Sequence, residues 1–282
     1  MLRRLAKSAL EIYATRVPYH RGKWRVIEGG LRAFAIEEAD RGQEFEVERK
    51  GLRWKLGPEC AIQRKLYYHG ALDPYDEREF LSAIRPGAVF FDVGSYYGYY
   101  ALRAAKLGAR SFAFEPASAN YRRLAQNAAL NPSLSCETHQ LALSDSVGTV
   151  AMVVAGDDNR GTGRIGAPSD GSVPTEEVAT TTLDRFFRDK GLDRLDAMKL
   201  DVEGAELKVL SGGAETLAKF RPTLLMEFNP GCLIRFGVEG DTLLKRVRGL
   251  GYHLWRATPG GLVPFQKLKP GEQYCNLLCR AA

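Results

Sequence analysis

Two runs of this sequence combine residue types and spacings that can do chemistry. The first is Phe90-Phe91-Asp92-Val93-Gly94-Ser95-Tyr96-Tyr97-Gly98. Its apolar residues form a strand that enters a glycine turn, and a helix follows at once. Gly94 lets the backbone approach a ligand in torsions a side chain would forbid, and Gly98 lets the helix start close to ligand and sheet. Amides at such a helix start favour an anionic group. Glu115 follows Gly94 by 21 residues, at the end of the next expected strand. An acid there is placed to accept hydrogen bonds from ribose hydroxyls, at the crevice where the strand order reverses. Pro116 keeps Glu115 extended and stops the strand. Dinucleotide sites favour G-x-G-x-x-G facing a pyrophosphate, whereas here Asp92-x-Gly94-x-x-x-Gly98 sets a carboxylate at the strand end. S-adenosylmethionine carries no phosphate but has an amino-acid end with both charges. The helix start can face its carboxylate, and Asp92 its ammonium, directly or through water. The spacing favours S-adenosylmethionine over NAD.

The second run is Met198-Lys199-Leu200-Asp201-Val202-Glu203-Gly204-Ala205-Glu206, with Glu227 at the end of a later apolar stretch. Chemistry beside a sulfonium cofactor needs an acceptor held in place and a carboxylate or histidine able to take its proton. Strand C-terminal ends face the crevice of a parallel sheet, so Asp201, Glu203 and Glu227 are the catalytic candidates. They can bind the cofactor, hold a substrate hydroxyl or act as base, and the sequence leaves these roles open. Three acids also permit oxygen coordination of a divalent cation, but spacing does not show that they converge, and no metal is assigned. Glu206 reads equally as a charge complementing a helix start, and Lys199 as a partner for a carboxylate. His253, on a late strand, is a base or a structural histidine. His69, beside Tyr67-Tyr68, falls in a segment that could cover the cofactor. The Asp157–Gly163 loop offers small polar residues to a sugar-like acceptor or is an ordinary surface loop.

These groups need a framework, and 282 residues with 45% hydrophobic and 26% charged content suffice for a large α/β domain with an extension. That composition excludes a disordered chain, a collagen-like fibre and a small disulfide scaffold. The periodicity predicts a basic amphipathic helix over 2–16, a hairpin over 43–56 and a helix over 74–84 capped by Asp73. Strands are expected over 88–93, 111–115, 137–143, 149–154, 197–200, 223–228, 252–257 and 274–279. Helices are expected over 97–107, 118–130 (capped by Ser118), 183–190, 205–219 (interrupted at Gly212-Gly213) and 239–249, with a loop over 156–175. This alternation predicts a mainly parallel sheet covered by helices, with an antiparallel C-terminal edge. The domains expected are 1–84, an N-terminal extension of basic helix and hairpin able to act as a lid, and 85–282.

The net charge of +6 is uneven: residues 1–56 hold 13 Lys/Arg against 8 Asp/Glu. This bias admits an anionic membrane or nucleic acid as partner of the N-terminal segment. Five cysteines are too few and too scattered for a disulfide framework, and with four dispersed histidines they lack zinc-ligand spacing. No apolar run reaches membrane-spanning length, and the basic start soon meets Glu11 and Arg16, so a cytoplasmic protein is expected.

At these residues the chain resembles the FkbM-type S-adenosylmethionine-dependent methyltransferases. The matching segments are Phe91–Gly98, Ala113-Phe114-Glu115-Pro116, Ala142-Leu143-Ser144-Asp145, Thr182-Leu183-Asp184, Met198–Glu206 and Leu224-Leu225-Met226-Glu227-Phe228. They follow the family's order through most of residues 66–280, and Lys-x-Asp-Val-Glu-Gly-x-Glu is the most specific. The resemblance implies a Rossmann-like class I methyltransferase fold and methyl transfer to oxygen, often a hydroxyl of a sugar, glycolipid or polyketide-type product. It implies cofactor contacts at Asp92, Gly94, Ser95, Tyr96, Gly98, Glu115, Pro116, Ala142 and Asp201. The family usually has Ala-Asn where this chain has Ser95-Tyr96, and a tyrosine cannot copy the polar contacts of that asparagine. The alternatives are a non-catalytic or nucleic-acid-associated S-adenosylmethionine-binding protein and, disfavoured by the glycine spacing, an NAD-dependent oxidoreductase. A nucleic-acid partner is not expected, and the oligomeric state is not legible.

Overall fold

The computed structural model describes residues 1–17, 20, 22–153, 164–165 and 174–281. They divide into two compact units, Met1–Pro74 and the chain from Tyr75 onward. The first unit holds α1 (Leu2–Arg16), α2 (Lys23–Ala33) and α3 (Ile36–Asp40), then a hairpin of β1 (Phe45–Arg49) and β2 (Leu52–Leu56), then α4 (Ala61–Arg64) running into a π-helical turn at Lys65–His69. α1 packs on α2 where Gly30 has no side chain, since a Cβ there would lie 2.7 Å from Leu10 Cδ2. The hairpin pairs Phe45 with Leu56 and Arg49 with Leu52 around the turn expected at Gly51.

The second unit opens with α5 (Pro74–Leu81), shorter than the expected 74–84. Strand, helix and strand then alternate: β3 (Val89–Val93), α6 (Tyr99–Lys106), β4 (Arg110–Phe114), α7 (Ser118–Ala129), β5 (Cys136–His139), β6 (Ala142–Ser144), β7 (Gly148–Val153), β8 (Arg164–Ile165) and β9 (Thr175–Thr182). After them come α8 (Leu183–Asp189), β10 (Ala197–Leu200), α9 (Glu206–Gly212), α10 (Ala214–Phe220), β11 (Thr223–Phe228), α11 (Pro230–Leu233), α12 (Gly240–Gly249), β12 (Tyr252–Thr258), β13 (Gly261–Pro264) and β14 (Cys275–Ala281). The main sheet has the order β13-β12-β14-β11-β10-β3-β4-β5. β5, β4, β3, β10 and β11 are parallel, and β14 joins them antiparallel. This is the Rossmann-like class I methyltransferase fold, with the expected antiparallel C-terminal edge. The order reverses between β3 and β10, so the crevice lies at their C-terminal ends.

Strand alternation gives the sheet two different faces. Phe91, Val93, Phe112, Phe114, Met198, Leu200, Leu224 and Met226 build one large core with Phe186, Val209, Leu210 and Leu243. The opposite face carries Asp92, Ser111, Ala113, Lys199 and Glu227, so polar side chains enter the protein between otherwise apolar strands.

Several local expectations change. The strand expected over 137–143 is two strands, β5 at the edge of the main sheet and β6 in a second sheet ordered β6-β9-β7-β8. The chain leaves the first sheet at Gln140, whose amide donates to Ser118 Oγ at 2.9 Å. Ser118 does not cap α7. Ala117 takes the cap position, and Glu176 of β9 accepts from Ser118 N–H at 2.9 Å and from its hydroxyl at 2.6 Å. β9 itself was not expected, because its Thr-Glu-Glu-Val-Ala-Thr-Thr-Thr run is mostly polar. The loop expected over 156–175 lies largely outside the described residues, with Asp157–Gly163 entirely so, while Arg164–Ile165 pairs with β7.

Candidate active site

The strand end of β3 and the start of α6 form a tightly built turn. Gly94 has φ +81°, and a Cβ there would run into the Asp201 carbonyl oxygen across the crevice. The Gly94 and Ser95 amides both donate to Phe114 O, at 3.0 and 2.9 Å. Ser95 Oγ donates to Asp92 O at 2.6 Å, and Gly98, with φ +91°, is the cap residue of α6. Asp92 is only 2% exposed, and its Oδ2 accepts from Ala101 N–H at 2.8 Å. The carboxylate therefore caps α6 from the neighbouring strand. Burial pushes the Asp92 carboxyl up to about 7, against the pull of Lys199 and the Ala101 amide.

Glu115 closes the other side of this turn. Its Oε2 accepts from Tyr96 N–H at 2.8 Å and its Oε1 from Ala117 N–H at 3.0 Å. Burial raises it to about 7, opposed by those two amides and by Asn120. Oε1 also accepts from Asn120 Nδ2 at 3.5 Å, so Oε2 is the oxygen that keeps a further lone pair for a ribose hydroxyl. Tyr96 is a non-glycine residue with φ +51°, a conformation that asparagine tolerates better than tyrosine. Its ring stands edge-on to Tyr97 with centroids 5.1 Å apart. The backbone amide of Tyr96 makes a polar contact at this position, to Glu115. Pro116 follows Glu115 at the β4 end. Ala142 is buried in β6, paired with Thr180 in the second sheet.

The end of β10 is organised differently. Lys199 is buried at 4% exposure, faces Asp92 across the β3–β10 ladder, and pairs with Asp201 Oδ2 at 2.8 Å. Burial opposes its ammonium, but Asp201, Glu227 and Asp92 outweigh that cost and hold its pKa above the usual value. Carboxylate oxygens of Asp201, Glu203 and Glu227 all lie within 4.8 Å of one another. Residues 24 to 26 positions apart in sequence thus converge, and a divalent cation could use the same oxygens. Glu203 has φ +55°, and the Cys232 thiol donates to its Oε2 at 3.4 Å. Glu227 Oε2 is buried with no hydrogen-bond partner among the described residues. Burial first, then repulsion from Asp201 and Glu203, pushes Glu227 up to about 9. Burial and Asp201 raise Glu203 as well. Glu206 accepts from Val202 and Gly204 amides at 3.1 and 3.2 Å, which assigns it to holding the turn.

The two candidate histidines have different settings. His253 is exposed on β12 opposite Arg280, three strands from β10 in the sheet order. His69 belongs to the first unit, where it stacks on Trp24 with centroids 4.3 Å apart and bonds Glu28 at 2.9 Å. Sequence reasoning missed Cys232 entirely and undervalued Lys199. The signal for Lys199 was its i, i+2 spacing from Asp201, which puts both on one strand face.

The residues at the β3 and β4 ends fit S-adenosylmethionine: a backbone turn with no room for a Cβ, a strand-end carboxylate and a buried acid beside the switch point. The sequence profile of the Methyltransferase FkbM domain matches residues 92–254. The chain is similar to the 2-O-methyltransferase NoeI of Sinorhizobium fredii (strain NBRC 101917 / NGR234), at 28% identity over 58% of this chain and 82% of that protein. It is also similar to the methyltransferase sdnD of Sordaria araneosa, at 32% identity over 43% of this chain and 58% of that protein. Among solved structures, Methyltransferase FkbM from Methylobacillus flagellatus KT aligns with 91% of this chain and 60% of its own, at 13% identity and a TM-score of 0.46.

Proposed function

Because the chain belongs to the FkbM methyltransferase family and is thereby an S-adenosylmethionine-dependent methyltransferase, we propose that it methylates a hydroxyl oxygen on a small molecule: a sugar, glycolipid or polyketide-type acceptor. The observation that carries this reading is the uncommitted Glu227 Oε2 inside the Asp201/Glu203/Glu227 cluster. The name of NoeI, a 2-O-methyltransferase, supports oxygen as the acceptor.

When bound, S-adenosylmethionine supplies a methyl group activated on a sulfonium. The β3–α6 turn and Glu115 bind and orient it. Lys199 holds Asp201, and Cys232 holds Glu203, which leaves Glu227 to receive the proton of the acceptor hydroxyl. In the ligand-free chain Glu227 keeps a proton near neutral pH, since its pKa stands at about 9. A positive charge in the crevice favours its ionised form, so the base becomes available when the site is loaded. Positioning supplies much of the remaining acceleration.

A methyl-donor assay against sugar, glycolipid and polyketide extracts tests the acceptor, with calorimetry of S-adenosylmethionine binding in parallel. Asp201→Asn and Glu203→Gln are expected to lower turnover more than cofactor affinity. Methyl transfer confined to nitrogen or carbon acceptors would overturn the assignment to oxygen.

A further inference from the structure

α1 is apolar on two sides. Its inner side packs within the first unit: Leu10 fills the space left by Gly30, and Ala14 is buried. Among the described residues nothing covers its outer side, where Leu2, Leu5 and Ile12 are 70%, 59% and 62% exposed. Those three and the exposed Ala9 follow spacings of three, four and three, which is one helical stripe. Arg16, four residues beyond Ile12, extends it.

The charges around this stripe are not balanced. Three of the five acids of α1–α3 are answered by cations inside the unit, Glu11 by Arg49 at 2.9 Å, Glu37 by Arg64 at 3.6 Å and Asp40 by Lys7 at 2.6 Å, while Glu28 bonds His69, whose burial favours the neutral ring. Arg4, Arg16, Arg25, Arg32 and Arg41 are exposed and form no ion pair among the described residues. The N-terminal segment therefore displays uncompensated guanidinium groups, and two of them, Arg4 and Arg16, are on the helix that carries the stripe. A stripe of three large side chains falls well short of the roughly 800 Å² per partner of a standard protein interface. No described helix is long and apolar enough to cross a membrane, so the helix could only lie on one.

We propose that α1 docks on an anionic lipid surface, with the Leu2–Leu5–Ile12 stripe at the acyl boundary and the exposed arginines on lipid phosphates. This goes beyond the methyl-transfer reading and does not depend on it. Aliphatic side chains on one helix face and unpaired arginines on the same helix are the combination that binds such a surface, through apolar burial and attraction to the negative leaflet.

The test is co-sedimentation of the whole chain with phosphatidylglycerol-rich vesicles and with pure phosphatidylcholine vesicles. Binding to the anionic vesicles alone is expected, weakening as salt rises. Arg4→Gln and Arg16→Gln should each weaken it by about 5-fold, and the double variant Leu5→Ser/Ile12→Ser by at least about 10-fold. All four substituted side chains are exposed, so circular dichroism and S-adenosylmethionine calorimetry should match the parent and separate failed docking from failed folding or failed cofactor binding. Equal binding to both vesicle types, or none to either, would overturn the proposal. So would a concentration-dependent dimer in ultracentrifugation that Leu5→Ser/Ile12→Ser dissolves, since the stripe would then belong to a second copy.

Discussion

The turns after β3 and β10 flank the same crevice and share one construction. Each has a glycine pressed against backbone, with Gly94 facing the Asp201 carbonyl and a Cβ on Gly204 lying 2.5 Å from Cys232 O. Each has a non-glycine residue in left-handed backbone, Tyr96 and Glu203. Each is tied by a buried carboxylate that accepts two backbone amides, Glu115 in one and Glu206 in the other. They differ in what is left over. In the first turn each acid is anchored by N–H groups, Asp92 by Ala101 and Glu115 by Tyr96 and Ala117, and the result is a rigid cradle. The second turn carries three further carboxylates with Lys199 among them, and the Glu227 oxygen is unanswered. One turn holds its shape, and the other stores unbalanced charge. Strained backbone at both is what a site built for function displays.

That contrast can be broken most severely at Gly94. Gly94→Ala drives a methyl group into the Asp201 carbonyl at a positive φ, and a loss of about 3–4 kcal/mol in urea unfolding is expected, with cofactor binding abolished. Lys199→Met comes next. It leaves Asp92, Asp201 and Glu227 without the cation beside them, and should cost about 3 kcal/mol by the same measurement.

Glu227→Gln sharpens the contrast from the other side, by lowering kcat about 100-fold while leaving calorimetric affinity for S-adenosylmethionine nearly unchanged. It also carries a pH signature. Asp92, Glu115 and Glu206 stand at about 7 and Glu227 at about 9, all above their unfolded values. The folded chain therefore binds more protons than the unfolded chain, and its stability should fall as pH rises from the ordinary carboxylate range to about 9. Glu227→Gln should flatten the segment above neutrality, and an unchanged slope there would contradict the assignment. The smallest effect is expected from Tyr96→Asn. Relief of left-handed backbone is offset by loss of the edge contact with Tyr97, so thermal unfolding should show a net change within about 1 kcal/mol. A larger loss would mean that the ring, not the amide, supports the cradle.

The legible parts of this molecule were those where local pattern and final position agree. The apolar runs at β3, β10 and β11 end in acids, and parallel-sheet geometry puts those ends at the crevice. Asp92, Gly94, Glu115 and Asp201 could therefore be located from sequence. Helix α2 was missed because Gly29-Gly30 weakens its helical pattern; its packing against Leu10 is tertiary. The split of β5 from β6 depends on Gln140 turning toward Ser118, a contact across 22 residues. That Glu227 would be left without a partner, and that Cys232 would reach Glu203, depend on β11 and α11 meeting the β10 turn. No local spacing records such an encounter.

Asp92 has one more consequence. By answering the α6 amide itself, the protein fills the positive helix end with its own acid before any ligand arrives. A pyrophosphate brought to that place would further oppose ionisation of a carboxyl that burial already holds at about 7, with little solvent to screen the repulsion. A zwitterionic amino-acid group meets no such penalty, because its ammonium can sit on the acidic side. A ligand preference set by that bond would follow charge rather than the shape of the crevice.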